Sequence, residues 1–463
     1  MAWYTDLRDT RLFSLSERDW TSRRLLDLRA RLKSALPDGV PRKTKDASII
    51  IGTWNLRDFD NNKFRHGPRR RESLFYIAEI LSAFDICAIQ EVNEDLGPLK
   101  DVIRLMGPGW DFIATDVTVG PSGNRERMAF VYDKNKVRFR NIAGEIVLPK
   151  QALLPDEQQF ARTPFMVSFQ AGWFKFSLCT VHIYFGDDGK ESEGYQRRVK
   201  EIEYIAKEMA GRAERENENF ILLGDFNIKN TVDETMQALT KAGFQLPPDL
   251  FPSNILGTKY YDQIAFRTRK DEVTFLSAGV FNFTKTLFTP EQYDHYAPVL
   301  PTRHRDLNSN GTPKDRAKDK DYYSKRWLTW QMSDHLPLWV ELAIDFSDEH
   351  LLHNLEAQFE KGDVPAQVEY ADAEDGETIT SPPEPAEPVG KRRSRKRKAP
   401  RIAAKEKVGT IAPAPHMTLG EAWRIFWWVA SGKADAFKRE RKNQRKAEKA
   451  KASKIAPKQK NQP

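Results

Sequence analysis

The sequence predicts an α/β protein, a four-layer α/β/β/α sandwich of two packed, mainly antiparallel or mixed sheets with helices on the outside. Three observations lead there. Apolar strand-like runs alternate with amphipathic helical stretches from Ser48 onward, the pattern of βα units. Between residues 110 and 182 strand follows strand with no helix between, which calls for hairpins and antiparallel pairing. The chain has 463 residues, 40% hydrophobic and 11% aromatic, enough for one large domain with a sizeable core plus appendages.

The elements follow in order. Residues 1–46 read as a leader whose helix runs from Asp19 to Leu36, with Leu25, Leu26, Leu28, Leu32 and Leu36 at helical spacing and Pro37 as its stop. The main domain, 47–346, opens on the continuous apolar run Ser48-Ile-Ile-Ile-Gly-Thr-Trp, which reads as a buried strand. A helix over Arg69–Phe84 carries Leu74, Ile77, Ile80 and Leu81 on one face, a strand follows at Asp85–Gln90, and a short helix covers Leu96–Met106. Strands come next at 110–115, 127–133, 136–147, 164–170 and 174–182. A long helix at Glu193–Ala213, a strand at Phe220–Gly224 and a helix at Val232–Ala242 form another βα alternation, and strands at 260–267, 272–281 and 337–344 close the domain. Residues 284–326 are a long polar insertion, either a solvated excursion or a flap, since both of its ends lead into motif-bearing strands.

Beyond the domain the composition changes. Residues 347–390 hold 1 Lys against 12 Asp+Glu and a Pro-rich run, the signature of an acidic disordered linker. The rest, 391–463, holds 23 Lys+Arg against 5 Asp+Glu. These segments carry −11 and +18 of the net +8, leaving +1 for residues 1–346, so the basic character belongs to the tail. The tail divides into a basic segment, 391–416, and a segment 417–463 with a capping-box start at Thr418-Leu-Gly-Glu421 and an amphipathic helix. The N-terminal residues lack the charged-then-apolar order of a signal peptide. No apolar run approaches the ~20 residues that span a bilayer. Cys87 and Cys179 both sit inside apolar strand runs and read as reduced core thiols. The expected location is cytoplasmic, or nuclear if the cell is eukaryotic and 391–398 serves as a localisation signal.

The chemistry concentrates where strands meet loops. Thr-Trp-Asn55, Ile-Gln-Glu91, Arg-Glu126-Arg, Thr-Val-His182, Gly-Asp225-Phe-Asn227 and Tyr-Asp262-Gln-Ile each put an acid, amide or imidazole at the end of an apolar strand, and Ser-Asp334-His335-Leu-Pro closes the series. Burying such groups costs several kcal/mol unless they are compensated. A divalent cation and a phosphate supply that compensation, because hard cations take oxygen ligands and phosphoryl transfer needs charge neutralised. Asp225 and Asn227 stand two apart at a strand end, so their side chains project the same way, to hold a water and a phosphate oxygen or to form a simple Asx turn.

Taken in order, these motifs over residues 48–346 resemble the endonuclease/exonuclease/phosphatase superfamily, in its deoxyribonuclease I-like branch. Gly-Asp225-Phe-Asn227 after a strand and Ser-Asp334-His335-Leu-Pro before the last strand are the most specific elements. The resemblance implies that Glu91 is the principal Mg²⁺ ligand, with Mn²⁺ as a possible substitute, and that Asn55 and Asp334 belong to the metal site. It implies that Asp262 orients His335, the base or phosphate-stabilising imidazole, and that Glu126 pairs with His182, which protonates the leaving oxygen. Asp225 and Asn227 attend the attacking water, and Arg57 contacts a substrate phosphate. Asn93 stands where that branch has a further DNA-contacting arginine, a departure from the duplex-binding pattern.

The expected function is a Mg²⁺-dependent phosphodiesterase, an endonuclease acting on DNA, with nucleic acid as the partner gripped in part by the basic tail. The alternative is a phosphodiesterase of the membrane surface acting on phospholipid, or an inositol polyphosphate phosphatase. Ala422-Trp-Arg-Ile-Phe-Trp-Trp-Val-Ala430 with the following Lys and Arg residues reads as an interfacial segment for an anionic membrane over 417–452. No protein partner is identifiable from the sequence.

Overall fold

The computed structural model describes residues 2–352 apart from 61–63, 119–123, 151–152, 155–158, 188, 270–271, 302–315 and 349. The acidic linker from 353 on, the basic segment 391–416 and the segment 417–463 lie outside the described residues.

Two sheets stack face to face. The first has six strands, β1 (Ser48–Phe59), β2 (Ile86–Val92), β3 (Trp110–Ala114), β4 (Arg127–Asp133), β10 (Thr274–Val280) and β11 (Leu338–Ala343), in the order β10-β11-β1-β2-β4-β3. The second has five, β5 (Arg138–Glu145), β6 (Phe165–Ala171), β7 (Phe174–His182), β8 (Asn219–Asp225) and β9 (Asp262–Arg267), in that order. Each sheet holds one parallel pair, β1 with β2 and β7 with β8, and every other pairing is antiparallel. A parallel pair needs a crossover, and helices α2 (Arg71–Leu81) and α4 (Glu193–Glu216) supply it.

Strand periodicity sorts the core into three layers. Ile49, Ile51, Ile86 and Ala88 face the second sheet and meet Val167, Phe169, Leu178, Ile221 and Leu223. Their neighbours Ile50, Trp54, Cys87 and Ile89 face outward into a core shared with α2, α3 (Gly97–Met106) and α1 (Leu15–Leu32). Cys179, Val181, Phe220 and Leu222 face outward on the other side, against α4 and α5 (Glu234–Lys241). Central strands buried on both faces explain the unbroken apolar runs of the sequence. The two free thiols lie in opposite outer layers, which rules out a disulfide between them.

Two expectations change. Helix α1 begins at Leu15 rather than Asp19, because Ser14 and Glu17 form a reciprocal capping box, and it ends at Leu32, five residues short of Pro37. Leu25, Leu28 and Leu32 are buried with Thr21, whereas Leu26 and Leu36 are exposed. Phe13 and these leucines pack against Phe75 and its neighbours, so the first residues form part of the outer helical layer. The insertion also differs from a solvated excursion. Leu287, Phe288, Tyr293, Tyr296, Leu300, Tyr323 and Trp327 are buried in the same layer. It includes α6 (Tyr293–Tyr296) and α7 (Arg316–Tyr322), and a π-helical turn Tyr323–Trp327 and α8 (Leu328–Gln331) lead from its end into β11. No helix among the described residues is long and apolar enough to cross a membrane.

If the first helix is integral to the fold, truncating its buried side must cost what a core cavity costs. Leu28→Ala, at a fully buried position, is expected to lower unfolding free energy by roughly 2–5 kcal/mol. Leu26→Ala on the exposed side should change it by no more than about 0.5 kcal/mol. Denaturant midpoints measure both, and equal, small effects would show that α1 rests loosely on the domain.

Candidate active site

The carboxyl ends of both parallel pairs and the amino ends of their antiparallel neighbours share one edge of the sandwich. His182 and Asp225 are the last residues of β7 and β8 and stand opposite each other, with Asp262, the first residue of β9, opposite Asp225. Glu91 lies near the end of β2, Glu126 directly precedes β4, and Asp334-His335 precede β11. Asn55 lies inside β1, where the pairing with β2 shifts register before Phe59. The motif residues of both sheets therefore meet at one place, with Glu126, Asp262 and His335 at strand starts rather than strand ends.

The backbone there is shaped for the site. Arg57, Asp58, Glu91 and Asn227 have φ of 42°, 46°, 58° and 53°, a left-handed conformation that costs a non-glycine residue of order 1–3 kcal/mol and clusters at functional sites. Gly224 has φ 133°, and a Cβ there would sit 2.2 Å from the Val181 carbonyl oxygen, so only glycine lets β8 pass β7 just before Asp225.

Two carboxylate–imidazole pairs dominate the geometry. Asp262 Oδ2 lies 2.7 Å from His335 Nδ1, and both residues are buried. Glu126 Oε2 lies 2.8 Å from His182 Nδ1, an ion-pair contact bent away from a straight hydrogen bond, while Arg162 donates to Glu126 Oε1 at 3.1 Å. In each ring the carboxylate occupies Nδ1 and leaves Nε2 facing inward. The two Nε2 atoms lie 3.7 Å (His182) and 3.8 Å (His335) from the same atom, Asp225 Oδ2.

Asn55 joins the two sheets at this point. Its Nδ2 donates to Glu91 Oε1 at 2.8 Å and to Asp225 Oδ2 at 3.1 Å, and its Oδ1 accepts from the Arg57 N–H. With both ends engaged, its amide orients the two carboxylates. Glu91 Oε2 accepts from the Asp58 N–H at 2.8 Å. Asp225 Oδ1 accepts from the Asn227 N–H, and Asn227 Nδ2 donates to the Ile183 carbonyl. Asp334 is half-exposed and pairs with Arg57 at 3.3 Å. The Arg57 guanidinium donates to Thr329 Oγ1 and stacks 4.1 Å from the Trp330 ring.

The electrostatics follow from crowding acids in a buried place. Burial pushes the Glu91 carboxyl up, and Glu126 and Asp334 add to it against the opposing pull of His182 and Asn55. Burial also raises Asp262. Burial works against a charged imidazole, but Asp262, Asp225 and Asp334 outweigh it and hold His335 well above the ordinary histidine value. His182 is raised in the same way, where burial and Arg162 are outweighed by Glu126 and Asp225. Glu126 ends below the usual carboxylate range because His182 and Arg162 overcome its burial.

This donor set suits a hard divalent cation. Carboxylate oxygens from Glu91, Asp225, Asp262 and Asp334 outnumber the cationic groups beside them, and Asp262 Oδ1 is buried without a hydrogen-bond partner. Asp225, Asp262 and His335 bring potential ligand atoms within 4.8 Å of one another. Since Asp262 and His335 already spend their facing atoms on each other, Glu91 and Asp225, held by one amide, are the better placed oxygens.

Sequence reasoning did not find the buried arginines that hold this site. Arg69 donates to the carbonyls of Leu56, Arg57 and Met332, and burial lowers its guanidinium to about 10. Arg198 donates to the carbonyls of Tyr184 and Asn227, fastening the loops after β7 and β8. A signal for Arg198 existed, because it and Glu201 fall on the stripe of Tyr195, Ile202 and Ile205 that buries α4. Arg69, inside the run Arg69-Arg70-Arg71, offered none.

Beside the site lies a cleft of about 690 Å³ lined by Arg57, Glu91, Asp334 and His335 together with Lys325, Arg326 and Trp330 of the insertion. A larger hollow of about 840 Å³ around Trp173, Glu218 and Arg269 contains none of the site residues.

No family model matches this sequence, and neither does any curated protein. Solved structures are similar in chain path. An endonuclease/exonuclease/phosphatase family protein from Bacteroides thetaiotaomicron shares 19% identity at TM-score 0.41, over 64% of this chain and 98% of its own. The mannosyl-6-phosphatase Bt3783 of the same organism shares 18% at 0.40, over 64% and 99%. D. rerio TDP2 complexed with a single-strand DNA product shares 14% at 0.39, over 64% and 99%. At these values the likenesses assign neither reaction nor substrate.

The raised histidines make a pH prediction. Because the folded value of His335 exceeds the unfolded one of about 6.5, its contribution to stability is complete below that pH and is lost as pH rises through the folded value. Metal-free protein should therefore lose unfolding free energy as pH rises above about 6.5, and His335→Gln should lose less. Identical slopes for the two proteins would refute the assigned elevation.

Proposed function

We propose that this protein is a divalent-metal-dependent phosphodiesterase, an endonuclease hydrolysing DNA by in-line attack of water, with Mg²⁺ as its cation and Mn²⁺ able to replace it. The observation that carries this reading is the pair of carboxylate-backed imidazoles whose Nε2 atoms both approach Asp225 Oδ2, with Glu91 fastened alongside. In-line displacement at phosphorus needs a proton removed where water enters and a proton delivered where the alkoxide leaves. Two imidazoles brought to one point supply one group for each task.

Glu91 and Asp225 would hold the cation, with Asp334 at the exposed side. A bound divalent cation supplies charge neutralisation at the phosphate oxygens. The chain does the rest. Asn55 fixes both carboxylates in one orientation. Asp262 and Glu126 fix the ring tautomers, so that each Nε2 faces the reacting phosphate. His335 and His182 hold and move the protons at Nε2. Arg57, pinned by Thr329 and Trp330, presents a cation to the substrate.

DNA is favoured over other phosphodiesters by Arg57 in the cleft and by the +18 charge of residues 391–463. Phospholipid head groups are the second reading, because Trp423, Phe426, Trp427 and Trp428 stand beside that charge.

Supercoiled plasmid with Mg²⁺ should be nicked, and EDTA should abolish nicking. His335→Ala should slow it by about 10²–10⁴-fold, the usual worth of a general acid–base group, and Glu91→Gln should raise the Mg²⁺ concentration needed for half-maximal nicking. A chain ending at Glu360 tests how much affinity the basic tail supplies. Folded protein that nicks neither plasmid nor single strands would overturn the nuclease reading, and phospholipid and inositol phosphate substrates would then be assayed.

A separate consequence concerns protons. After their partners Glu126 and Asp262, Asp225 raises His182 and His335 and Asp334 raises His335, and these two carboxylates are among those that would hold the cation. Adding Mg²⁺ to metal-free protein in weak buffer near pH 7 should therefore release protons. An indicator dye reads this, and silence from the dye would argue against a cation among these groups.

A further inference from the structure

The insertion contributes more to the cleft than a wall. Its π-helical turn, Tyr323–Trp327, buries Tyr323 and Trp327 in the outer core and leaves Lys325 and Arg326 exposed between them. Single π-turns inside helices recur at functional sites. Here the two exposed cations line the same cleft as Glu91, Asp334 and His335.

Their surroundings show why they matter. The acids lining this cleft are Asp58, Glu91 and Asp334. Asp334 is paired with Arg57, and Glu91 is the proposed cation ligand. Lys325 pairs with Asp321 one helical turn back on its own segment, with both side chains largely exposed, an ion pair of the kind worth little in water. Arg326 forms no ion pair among the described residues. Trp330, which also lines the cleft, contacts the Arg57 guanidinium at 4.1 Å and the stacked His66 ring at 4.7 Å. The cleft thus combines the acids Asp58, Glu91 and Asp334 with two exposed cations from one helical turn.

We propose that Lys325 and Arg326 form an anion subsite that reads a second phosphoryl group of the substrate, next to the phosphate being cleaved. This rests on the phosphodiesterase reading above and narrows its substrate. The second phosphate belongs either to the neighbouring nucleotide of a strand or to a small molecule carrying two phosphates. Arginine's planar fork binds phosphate oxygens bidentately and lysine binds them as a point charge, so Arg326 is the larger contributor.

Two substrate series separate these sources, assayed with the full chain and Mg²⁺. One compares a dinucleoside monophosphate with the same dinucleotide carrying an added terminal phosphate, 5′ or 3′. The other compares the methyl phosphodiester of a sugar with the same diester carrying an added phosphate on the sugar. The wild type should favour the member with the added phosphate in one series. In Lys325→Ala/Arg326→Ala that preference, as a ratio of kcat/KM values, should fall by about tenfold or more, the scale of one charge-assisted contact. Arg326→Glu should lower it further, and rising salt should erode it in the wild type alone. A preference that survives both variants overturns the subsite, as does hydrolysis by the wild type with no preference in either series. Absence of any metal-dependent hydrolysis in both series and on plasmid overturns the phosphodiesterase reading, and the subsite with it.

Discussion

The Asn55 side-chain amide donates to Glu91 in its own sheet and to Asp225 in the other, at 2.8 Å and 3.1 Å. Everything else at the site depends on the two sheets being stacked so that this is possible. Gln90, one residue before Glu91, donates to Thr53 and to Thr180 of the second sheet, so the polar seam between the layers is two contacts deep. A one-residue slip in the pairing of β1 with β2 or of β7 with β8 would turn the slipped strand's side chains to the opposite face. It would also leave buried carboxylates without their donors, at a cost of about 1–3 kcal/mol or more for each such group.

The second constraint is charge. Acids converge where β2, β8, β9 and the segment before β11 meet, and among the described residues two imidazoles, Arg162 and Arg57 answer them. That imbalance raises both histidines and Glu91 and makes a cation the natural complement. Around this cluster, Arg69 and Arg198 spend their guanidinium groups on backbone carbonyls, Arg69 tying the end of β1 to the segment before β11 and Arg198 holding the loops after β7 and β8. Such buried arginines are costly to desolvate, and their carbonyl contacts offset that cost while fixing loop geometry.

Much of the fold can be read from the sequence because its signals are local. Period-two and period-3.6 patterns mark strands and helices within a few residues of their observed ends, and β7 runs from Phe174 to His182 as expected. The first helix starts four residues before its leucine pattern indicates, because the Ser14–Glu17 capping box sets its first turn. The insertion is less legible. Its charges suggest solvent, yet Tyr293, Tyr296, Tyr323 and Trp327 are spaced irregularly and pack inward only because the outer face of the first sheet needs covering.

The order of acids, amides and imidazoles along the chain, and their placement beside strands, were settled by the sequence alone, since each depends on residue type and near neighbours. Which of them meet was decided only by the tertiary structure. Asn55 and Asp225 are 170 residues apart, and His335 and Asp262 are 73 apart. Arg57 meets Thr329 and Trp330 across most of the domain. The facing of both Nε2 atoms toward one oxygen of Asp225, the two arginine clamps and the cationic turn at the cleft all follow from how two twisted sheets stack and how the insertion caps one of them. No local periodicity records such long-range registers, because they arise from packing between elements rather than from the propensity of any one of them.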